Sequence, residues 1–310
     1  MGVNSAKGGL DLYLESFALP IDREDDLLRE KAAYNGGMNG YIDNPYPCGL
    51  FVQKQLYEIE FGRITIFYGG NGSGKSTLLN LIAQKLELNR ISPFNSGEMF
   101  ASYVENCAYS VGYDEEGFRH RIPDGSRIIT SDDIFDYMLT VRTNNDEISE
   151  SKEDARKEWS HLKFGDTVKF HGFEDYEALR LQVLARRKSV SRRQFIRRTA
   201  GQEVELNSNG ETALRYFEQK LKSHTLYCLD EPENSMSPKM QLELVAMLER
   251  LVQDAGCQFI LATHSPFLLA LHGARIYDLD ATPTEVKDWW ELENVKIYYD
   301  FFEKYRYLFE

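Results

Sequence analysis

The sequence predicts an α/β fold with a mainly parallel core sheet. Apolar segments of strand length alternate with segments whose apolar residues recur at helical spacing, an order typical of parallel sheets with crossover helices. A glycine-rich stretch, GGNGSGKST, joins one of these strands to a helix. Two further apolar strands end in acidic residues or a histidine, at the position where open α/β sheets bind their ligands.

The first third of the chain predicts an arm followed by a strand, a loop and a helix. Residues 1–50 are rich in turn signals around one acidic patch and predict an arm, a short helix and a loop. In residues 57–70, YEIEF alternates and ITIFY is a continuous apolar run, which predicts a hairpin that ends in a buried strand. Residues 73–86, SGKSTLLNLIAQKL, have the apolar spacing of a helix.

The middle of the chain has a weaker pattern. Residues 90–130 are mixed, with many turn residues, and DDIFDYMLTVR, residues 132–142, has helical spacing. The highly charged residues 144–160 favour a solvated helix or a mobile loop. Residues 174–199 favour one long helix or a helix pair.

The last third alternates clearly between strands and helices. HTLYCLD (residues 224–230) and CQFILATHS (residues 257–265) predict buried strands, and residues 237–256 predict a helix that ends at its final glycine. ARIYDLD, residues 274–280, predicts a short final strand, and residues 289–309 predict a C-terminal helix.

Composition and charge narrow the class of protein. The chain has 310 residues, 42% of them hydrophobic, which suits a globular fold without disulfide or metal staples. Its four cysteines form no CxxC pair, which favours reduced thiols in the cytoplasm over a zinc or redox site. No apolar run reaches the ~18 residues of a membrane helix, so no membrane insertion is expected. The net charge of −13 requires any nucleic acid to dock on a local basic patch.

The glycine-rich stretch contains the pattern G-x-x-x-x-G-K-S between a strand and a helix. Its glycines let backbone N–H groups wrap around phosphate oxygens, and the helix that follows aims its positive end at the same charge. We therefore expect a nucleotide, with Lys75 reaching the β- and γ-phosphates and Ser76 ligating Mg²⁺. The candidate nucleotide-binding residues are Gly69, Gly70, Asn71, Gly72, Ser73, Gly74, Lys75, Ser76 and Thr77.

Two adjacent carboxylates follow the strand in TLYCLDEPE. Asp230 is the candidate that holds Mg²⁺ through water, and Glu231 is the candidate that polarises the attacking water. The alternative is a strand end with an acidic turn and no catalytic role.

His264 follows the next apolar strand, in FILATHSPFLL. A lone histidine is usually a structural residue. This one lies at a strand end in the same part of the predicted fold as Asp230, so a contact with the γ-phosphate is the favoured interpretation.

The order strand–GGNGSGKST–helix, LDEP and ATHS resembles the ATP-binding-cassette (ABC) ATPases. The resemblance implies a P-loop fold with a mainly parallel core sheet, an antiparallel β subdomain and a helical lid subdomain. It implies ATP as substrate, Mg²⁺ as cofactor, and catalytic roles for Lys75, Glu231 and His264.

The family also has a signature motif of the LSGGQ type shortly before the LDEP strand. NSNGE, residues 207–211, lies at that place, matches at Ser208 and Gly210, and precedes a helix. The resemblance implies a head-to-tail homodimer with two ATP molecules, each held between one P-loop and the partner's signature.

The match covers residues 57–86 and 205–279 well and the middle of the chain poorly. No glutamine occurs between residues 84 and 182, so the family's Q-loop glutamine is missing, and Asp132 or Asp133 is the candidate replacement.

Other departures bear on the branch of the family. Tyr46 and Phe51 are the candidates for stacking on adenine. Ser237 and Pro238 stand where transporter cassettes favour an aspartate. The chain therefore looks more similar to the non-transport branch, which includes RecF-like and SMC-like ATPases and small stand-alone bacterial ATPases, some from defence systems.

We expect one domain over residues 1–310. Its parts are an N-terminal arm and loop (1–50), a nucleotide-binding core (51–90 and 204–280), a helical lid insertion (91–203) and a C-terminal helix (281–310).

A basic segment, Arg180–Arg198, contains eight lysines and arginines and no acidic residue. Three interpretations remain open: a solvated lid helix, contact with nucleic acid, or one arginine that reaches the ATP phosphates or an acidic partner. Nucleic-acid contact would make binding salt-dependent, with a slope of roughly one per neutralised phosphate.

The sequence is compatible with three functions. The favoured one is an ATP hydrolase whose dimer closes on ATP and signals to a nucleic acid or effector protein, as in DNA repair or phage defence. The alternatives are the ATPase subunit of a membrane transporter and an ATP-sensing scaffold with negligible turnover. A GTPase is disfavoured because the chain has no NKxD guanine motif.

Overall fold

The computed structural model describes residues 12–35, 45–94, 97–114, 116–164, 176–187, 191–192, 194–196 and 209–310. The chain divides into two compact units. The first consists of Met1–Ile134 and Ala213–Glu310, and the second of Phe135–Thr212.

A six-stranded sheet forms the centre of the first unit. Its strands lie in the order β5 (Arg127–Thr130), β6 (Leu226–Asp230), β7 (Gln258–Ala262), β3 (Ile64–Tyr68), β8 (Arg275–Asp278) and β9 (Glu285–Lys287). All neighbouring strands are parallel except β8 and β9, which are antiparallel. The carboxyl ends of β3, β5, β6 and β7 therefore share one edge of the sheet.

The apolar runs predicted as buried strands are β3, β6 and β7. Every residue of β3 and β7 is buried, as in a parallel sheet that is covered on both faces. The helix after β3 contributes Leu78, Leu79, Leu81 and Ile82 to the same core, all fully buried. Each such side chain stabilises the fold by roughly 1.5–3 kcal/mol, which holds this strand and helix in place.

A second, antiparallel sheet of three strands also belongs to the first unit, in the order β2 (Glu58–Glu60), β1 (Ser16–Ala18) and β4 (Ala108–Ser110). The predicted hairpin over residues 57–70 is therefore wrong, since β2 and β3 lie in different sheets. The reason is that β7 and β8 occupy both edges of β3, so that β2 pairs with β1 instead.

Ten α-helices can be assigned among the described residues. They are α1 (Asp22–Asn35), α2 (Leu50–Gln53), α3 (Lys75–Lys85), α4 (Glu98–Asn106), α5 (Ser131–Phe164), α6 (Tyr176–Arg186), α7 (Asn209–Lys220), α8 (Pro238–Ala255), α9 (Pro266–Leu269) and α10 (Glu293–Lys304). Short 3-10 turns at Trp289–Glu291 and Arg306–Leu308 flank α10. As the sequence predicts, α8 ends at a glycine, Gly256, which has a left-handed φ of 60°.

The second unit is helical in its described part. Leu162, Ala185 and Phe195 form a small buried cluster there, with Trp159 and Leu184 packed against it. Arg186 Nε donates to the carbonyl of Leu162 at 3.1 Å, which ties α6 to the end of α5. Residues 91–134 of the predicted lid insertion instead contain α4, β4 and β5 of the first unit.

No helix in the described ranges is both long and apolar enough to cross a membrane.

Candidate active site

The glycine-rich loop connects the end of β3 to the start of α3. The helix begins at Lys75, and its N-cap, Gly74, has φ 100°, a left-handed conformation that side chains other than glycine rarely adopt. A Cβ at Gly74 would also lie 3.1 Å from Leu50 Cδ2. The loop therefore turns tightly enough to direct the N–H groups and the positive dipole end of α3 back toward its own concave side.

Lys75 is nearly buried, with 5% of its surface exposed. Its Nζ donates to the carbonyl oxygens of Gly69 at 2.7 Å and Gly70 at 3.1 Å, so the ammonium is held over the loop. The same Nζ lies 3.8 Å from Glu231 Oε1. A cation held this close to the loop suits an anionic ligand.

Ser76 and Asp230, the two candidate Mg²⁺ ligands, are in direct contact. Ser76 Oγ donates to Asp230 Oδ1 at 3.0 Å. Burial raises the pKa of Asp230 to about 6; the Ser76 hydrogen bond opposes this rise and the neighbouring Glu231 adds to it. A bound cation would favour the ionised carboxylate here.

Glu231 has a positive φ of 47°, which is unusual outside glycine. Its N–H donates to the carbonyl of Ala262 at 2.8 Å, and Asn234 Nδ2 donates to its Oε2 at 3.2 Å. The left-handed conformation costs about 1–2 kcal/mol and is maintained by these contacts. The turn aims the carboxylate toward Lys75 instead of continuing the strand direction.

His264 lies beside the same carboxylate. Its Nδ1 is 3.8 Å from Glu231 Oε1 and 3.9 Å from Glu233 Oε1, both beyond hydrogen-bond distance. The side chain is 49% exposed. Its ring can therefore reach a ligand at the sheet edge.

Glu233, which the sequence did not suggest, supports this loop from below. It is 5% exposed, and burial raises the pKa of its carboxyl group. Its Oε1 accepts from the backbone N–H of His264 at 3.2 Å and from Thr263 Oγ1 by a short bond. The only sign of Glu233 in the sequence is that it is an acidic residue three positions after Asp230.

A cavity of about 690 Å³ opens over the loop, a volume suited to a nucleotide. One wall comes from the segment before α2 and from α2 itself. The lining residues are Pro45, Tyr46, Pro47, Cys48, Gly49, Leu50, Gln53, Asn71, Gly72, Ser73, Gly74, Lys75, Ser76, Thr77 and Glu231.

The two adenine-stacking candidates have different outcomes. Tyr46 lines the cavity, is 39% exposed, and donates from its Oη to Thr77 Oγ1 at 2.6 Å. Phe51 is fully buried in the core and has no face available to a base. Of these two residues, only Tyr46 is placed where it can contact a base.

Two protein-family models match the chain. The family model described as ABC transporter matches residues 53–234, more than half of the chain. The chain is an ABC-type ATPase. A model described as an AAA domain, associated with the AbiEii toxin of type IV toxin–antitoxin systems, matches residues 202–270.

The ABC-type ATPase is 22% identical over 264 residues to the petrobactin import ATP-binding protein YclP of Bacillus subtilis, covering 82% of this chain and 90% of that protein. A dimeric ATP-binding cassette in a post-hydrolysis state with ADP and Pi is 15% identical, with 75% of this chain and 88% of that chain covered and a TM-score of 0.34. The SMC head domain from Thermotoga maritima is 14% identical, with 74% and 92% covered and a TM-score of 0.35. Both TM-scores are below 0.5.

The family match confirms the predicted resemblance, the fold class and the assignment as an ATP hydrolase. In the ABC-type ATPase, Lys75, Ser76, Asp230, Glu231 and His264 converge at the carboxyl edge of the core sheet.

Four further candidates come from the sequence. Gly210 is buried in the first turn of α7, and Ser208 lies outside the described residues. Asp132 is exposed on α5. Asp133 is buried, and its two oxygens accept from Ser92 and Thr130, so it braces two chain segments.

In the basic segment Arg180–Arg198, three described arginines, Arg180, Arg186 and Arg192, have partners within the chain. Arg180 pairs with Glu177 at 3.1 Å, and the Arg192 guanidinium lies 5.5 Å from the centre of the Trp159 ring. The cations at positions 188, 193, 197 and 198 lie outside the described residues.

Proposed function

We propose that this ABC-type ATPase binds ATP with Mg²⁺ in the cavity over Gly69–Thr77 and hydrolyses it with Glu231 as the catalytic carboxylate. One observation carries the proposal: Glu231 Oε1 lies 3.8 Å from both Lys75 Nζ and His264 Nδ1. These three side chains lie together beside the loop, where a terminal phosphate would be held.

The residues present fit Mg²⁺. Ser76 and Asp230 offer the oxygen ligands that Mg²⁺ prefers. In the part of the chain that the structure describes, no group of three or more His, Cys, Asp or Glu side chains could hold a metal. That suits Mg²⁺, which is usually held by one or two protein oxygens together with substrate phosphates and water. When bound, Mg²⁺ would neutralise charge on the phosphate oxygens.

Each protein group then has a separate task. The loop N–H groups and Lys75 hold the phosphate oxygens. Glu231 orients the attacking water and accepts its proton. His264, whose Nδ1 lies 3.8 Å from Glu231 Oε1, contacts the γ-phosphate.

Two variants test this assignment. Glu231→Gln should lower kcat by about 10²–10⁴-fold while ATP affinity stays within about threefold, because its amide keeps the shape but cannot accept the proton. Lys75→Ala should weaken ATP binding itself. Isothermal titration with ATP and steady-state phosphate release distinguish the two, and full turnover in Glu231→Gln would exclude Glu231 as the catalytic carboxylate.

We propose further that two copies close head to tail on ATP, with Ser208 and Gly210 of one copy completing the site of the other. The family resemblance and the position of Gly210 in the first turn of α7 support this, since a helix N-terminus attracts phosphate. Ser208→Arg or Gly210→Asp should leave ATP binding by the monomer intact and abolish hydrolysis. Glu231→Gln should accumulate as a dimer with ATP when its mass is measured by light scattering. Loss of ATP binding in the two signature variants would make this stretch a structural turn.

The cycle is proposed to act on a nucleic acid or effector protein through Arg180–Arg198, in the cytoplasm. The positive charge of the segment supports this proposal. The ion pair between Arg180 and Glu177 argues against it, because that charge is already partly neutralised. ATPase rates with and without DNA or RNA at two salt concentrations test it: stimulation that salt abolishes supports nucleic acid, and an unchanged rate excludes it.

The transporter alternative is favoured by one observation, the similarity to a petrobactin import ATP-binding protein. Ser237 and Pro238 and the missing Q-loop glutamine argue against it. Co-purification of the chain with a membrane protein would favour it. The other alternative is a scaffold that senses ATP without turning it over. Steady-state phosphate release by the purified protein would exclude it.

A further inference from the structure

The C-terminal helix α10 reaches the candidate active site through one side chain. Asn294, in the first turn of α10, donates from Nδ2 to the backbone carbonyl of His264 at 2.9 Å. Its own N–H donates to Tyr68 Oη at 3.0 Å. Tyr68 is the last residue of β3, directly before the glycine-rich loop. One residue thus links the strand before the loop with the loop that carries His264.

The backbone of His264 is consequently held from both sides. Its N–H donates to Glu233 Oε1 at 3.2 Å, and its carbonyl accepts from Asn294. The ring itself is half exposed and more than 3.5 Å from both carboxylates, at 3.8 and 3.9 Å. The position of the ring therefore depends on the backbone, because no short hydrogen bond to these carboxylates fixes it.

The start of α10 is anchored firmly enough for this task. Leu292 and Val295, on either side of Asn294, are buried. A neighbouring contact strengthens the link, since Asp280 Oδ2 accepts from the N–H of Gly70 at 2.7 Å. The segment after β8 therefore touches both the glycine-rich loop and the His264 loop.

We propose that Asn294 is a positioning residue for ATP hydrolysis, which acts by holding the His264 carbonyl and thereby the ring. Neither family model extends to it, since they end at residues 234 and 270. The proposal rests on the proposed role of His264 and adds the C-terminal helix to the active site.

The size of the expected loss in kcat follows from the hydrogen bond between Asn294 and the His264 carbonyl. Without the Asn294 amide, the His264 carbonyl loses a fixed donor and the ring can shift. Because misplacement of a catalytic group by about 1 Å can cost up to 10²-fold in rate, we expect kcat to fall about tenfold. ATP binding should change less than twofold, since the Asn294 amide donates to the His264 carbonyl, whereas Lys75 is held by the carbonyls of Gly69 and Gly70.

The test is a double-mutant cycle in the full chain. Asn294→Ala and the isosteric Asn294→Asp are each made in the wild type and in His264→Ala, and kcat and the ATP dissociation constant are measured. In the wild type both should lower kcat about tenfold, whereas in His264→Ala they should lower it less than twofold, because the ring they position is gone. Asp300→Ala, an exposed change farther along α10, is the control and should leave kcat unchanged.

The outcomes separate the two proposals. If His264→Ala does not lower kcat, the role of His264 is wrong and this inference is refuted with it. If His264→Ala lowers kcat but the Asn294 variants lower it equally in both backgrounds, or not at all in the wild type, only this inference is refuted. Should Asn294→Ala fail to fold, Asn294→Asp keeps the packing and gives the same comparison.

Discussion

Replacing Asp230 by asparagine is expected to stabilise the nucleotide-free protein above pH 6 while it abolishes ATP hydrolysis. Burial, with a contribution from Glu231, raises the pKa of Asp230 from 3.8 to about 6. Since one pKa unit corresponds to about 1.4 kcal/mol, the ionised carboxylate destabilises the fold by about 3 kcal/mol at neutral pH. Asparagine keeps an oxygen that can accept from Ser76 and carries no charge to desolvate.

The stability change on replacing Asp230 depends on pH in a defined direction. Because the folded-state pKa lies above the unfolded one, the destabilisation is absent below about pH 4, develops between about pH 4 and 6, and is complete above about pH 7. Asp230→Asn should therefore gain about 3 kcal/mol at pH 8 and almost nothing at pH 4. The proposed Mg²⁺ ligand also loses its negative charge and should bind the cation much more weakly, so turnover should disappear.

The assay is urea unfolding of both proteins at pH 4 and pH 8 without nucleotide or metal, followed by circular dichroism, with differences taken from the midpoint at constant slope. The exposed Asp300→Asn serves as control and should change stability by less than about 0.5 kcal/mol. An equal gain at both pH values, or no gain at pH 8, would refute the reasoning.

Three further outcomes are expected. Gly74→Ala should lose ATP binding in titrations and destabilise the fold by about 1–2 kcal/mol, because its φ is 100° and the new Cβ would lie 3.1 Å from Leu50. Gly256→Ala, with φ 60° and its Cβ 2.8 Å from His224, should cost a similar free energy of unfolding in urea but leave kcat unchanged. Glu233→Ala should leave two donors without an acceptor and cost about 2–5 kcal/mol, whereas Glu233→Gln keeps the acceptor and should remain as stable as the wild type at pH 7 by thermal unfolding.

The hydrophobic periodicity within single segments made the core of the fold predictable. The apolar runs of β3, β6 and β7 and the helices after β3 and β6 have a periodicity that lies within single segments. β1, β2, β4 and β9 have three residues each, too few for a periodicity. β1, β2 and β4 exist because of partners far along the chain, whereas β9 pairs with the preceding strand β8. The false hairpin over residues 57–70 has the same cause, since both edges of β3 were already occupied.

The sequence alone determined the chemical groups of the candidate site. The nine contiguous residues Gly69–Thr77 form the loop and the first turn of the helix that follows it, and Asp230 and Glu231 end a strand that is recognisable by itself. Their approach to Lys75 and Ser76 follows from parallel strands that end at one edge.

Only the tertiary structure decided how those groups are held. The left-handed turn at Glu231 and the support of His264 by Glu233 and Asn294 depend on contacts across the fold. Thirty positions separate Asn294 from His264, and hydrogen bonds over that distance leave no periodic trace in a sequence. The motif therefore identifies the reacting groups, and packing between distant segments sets their geometry.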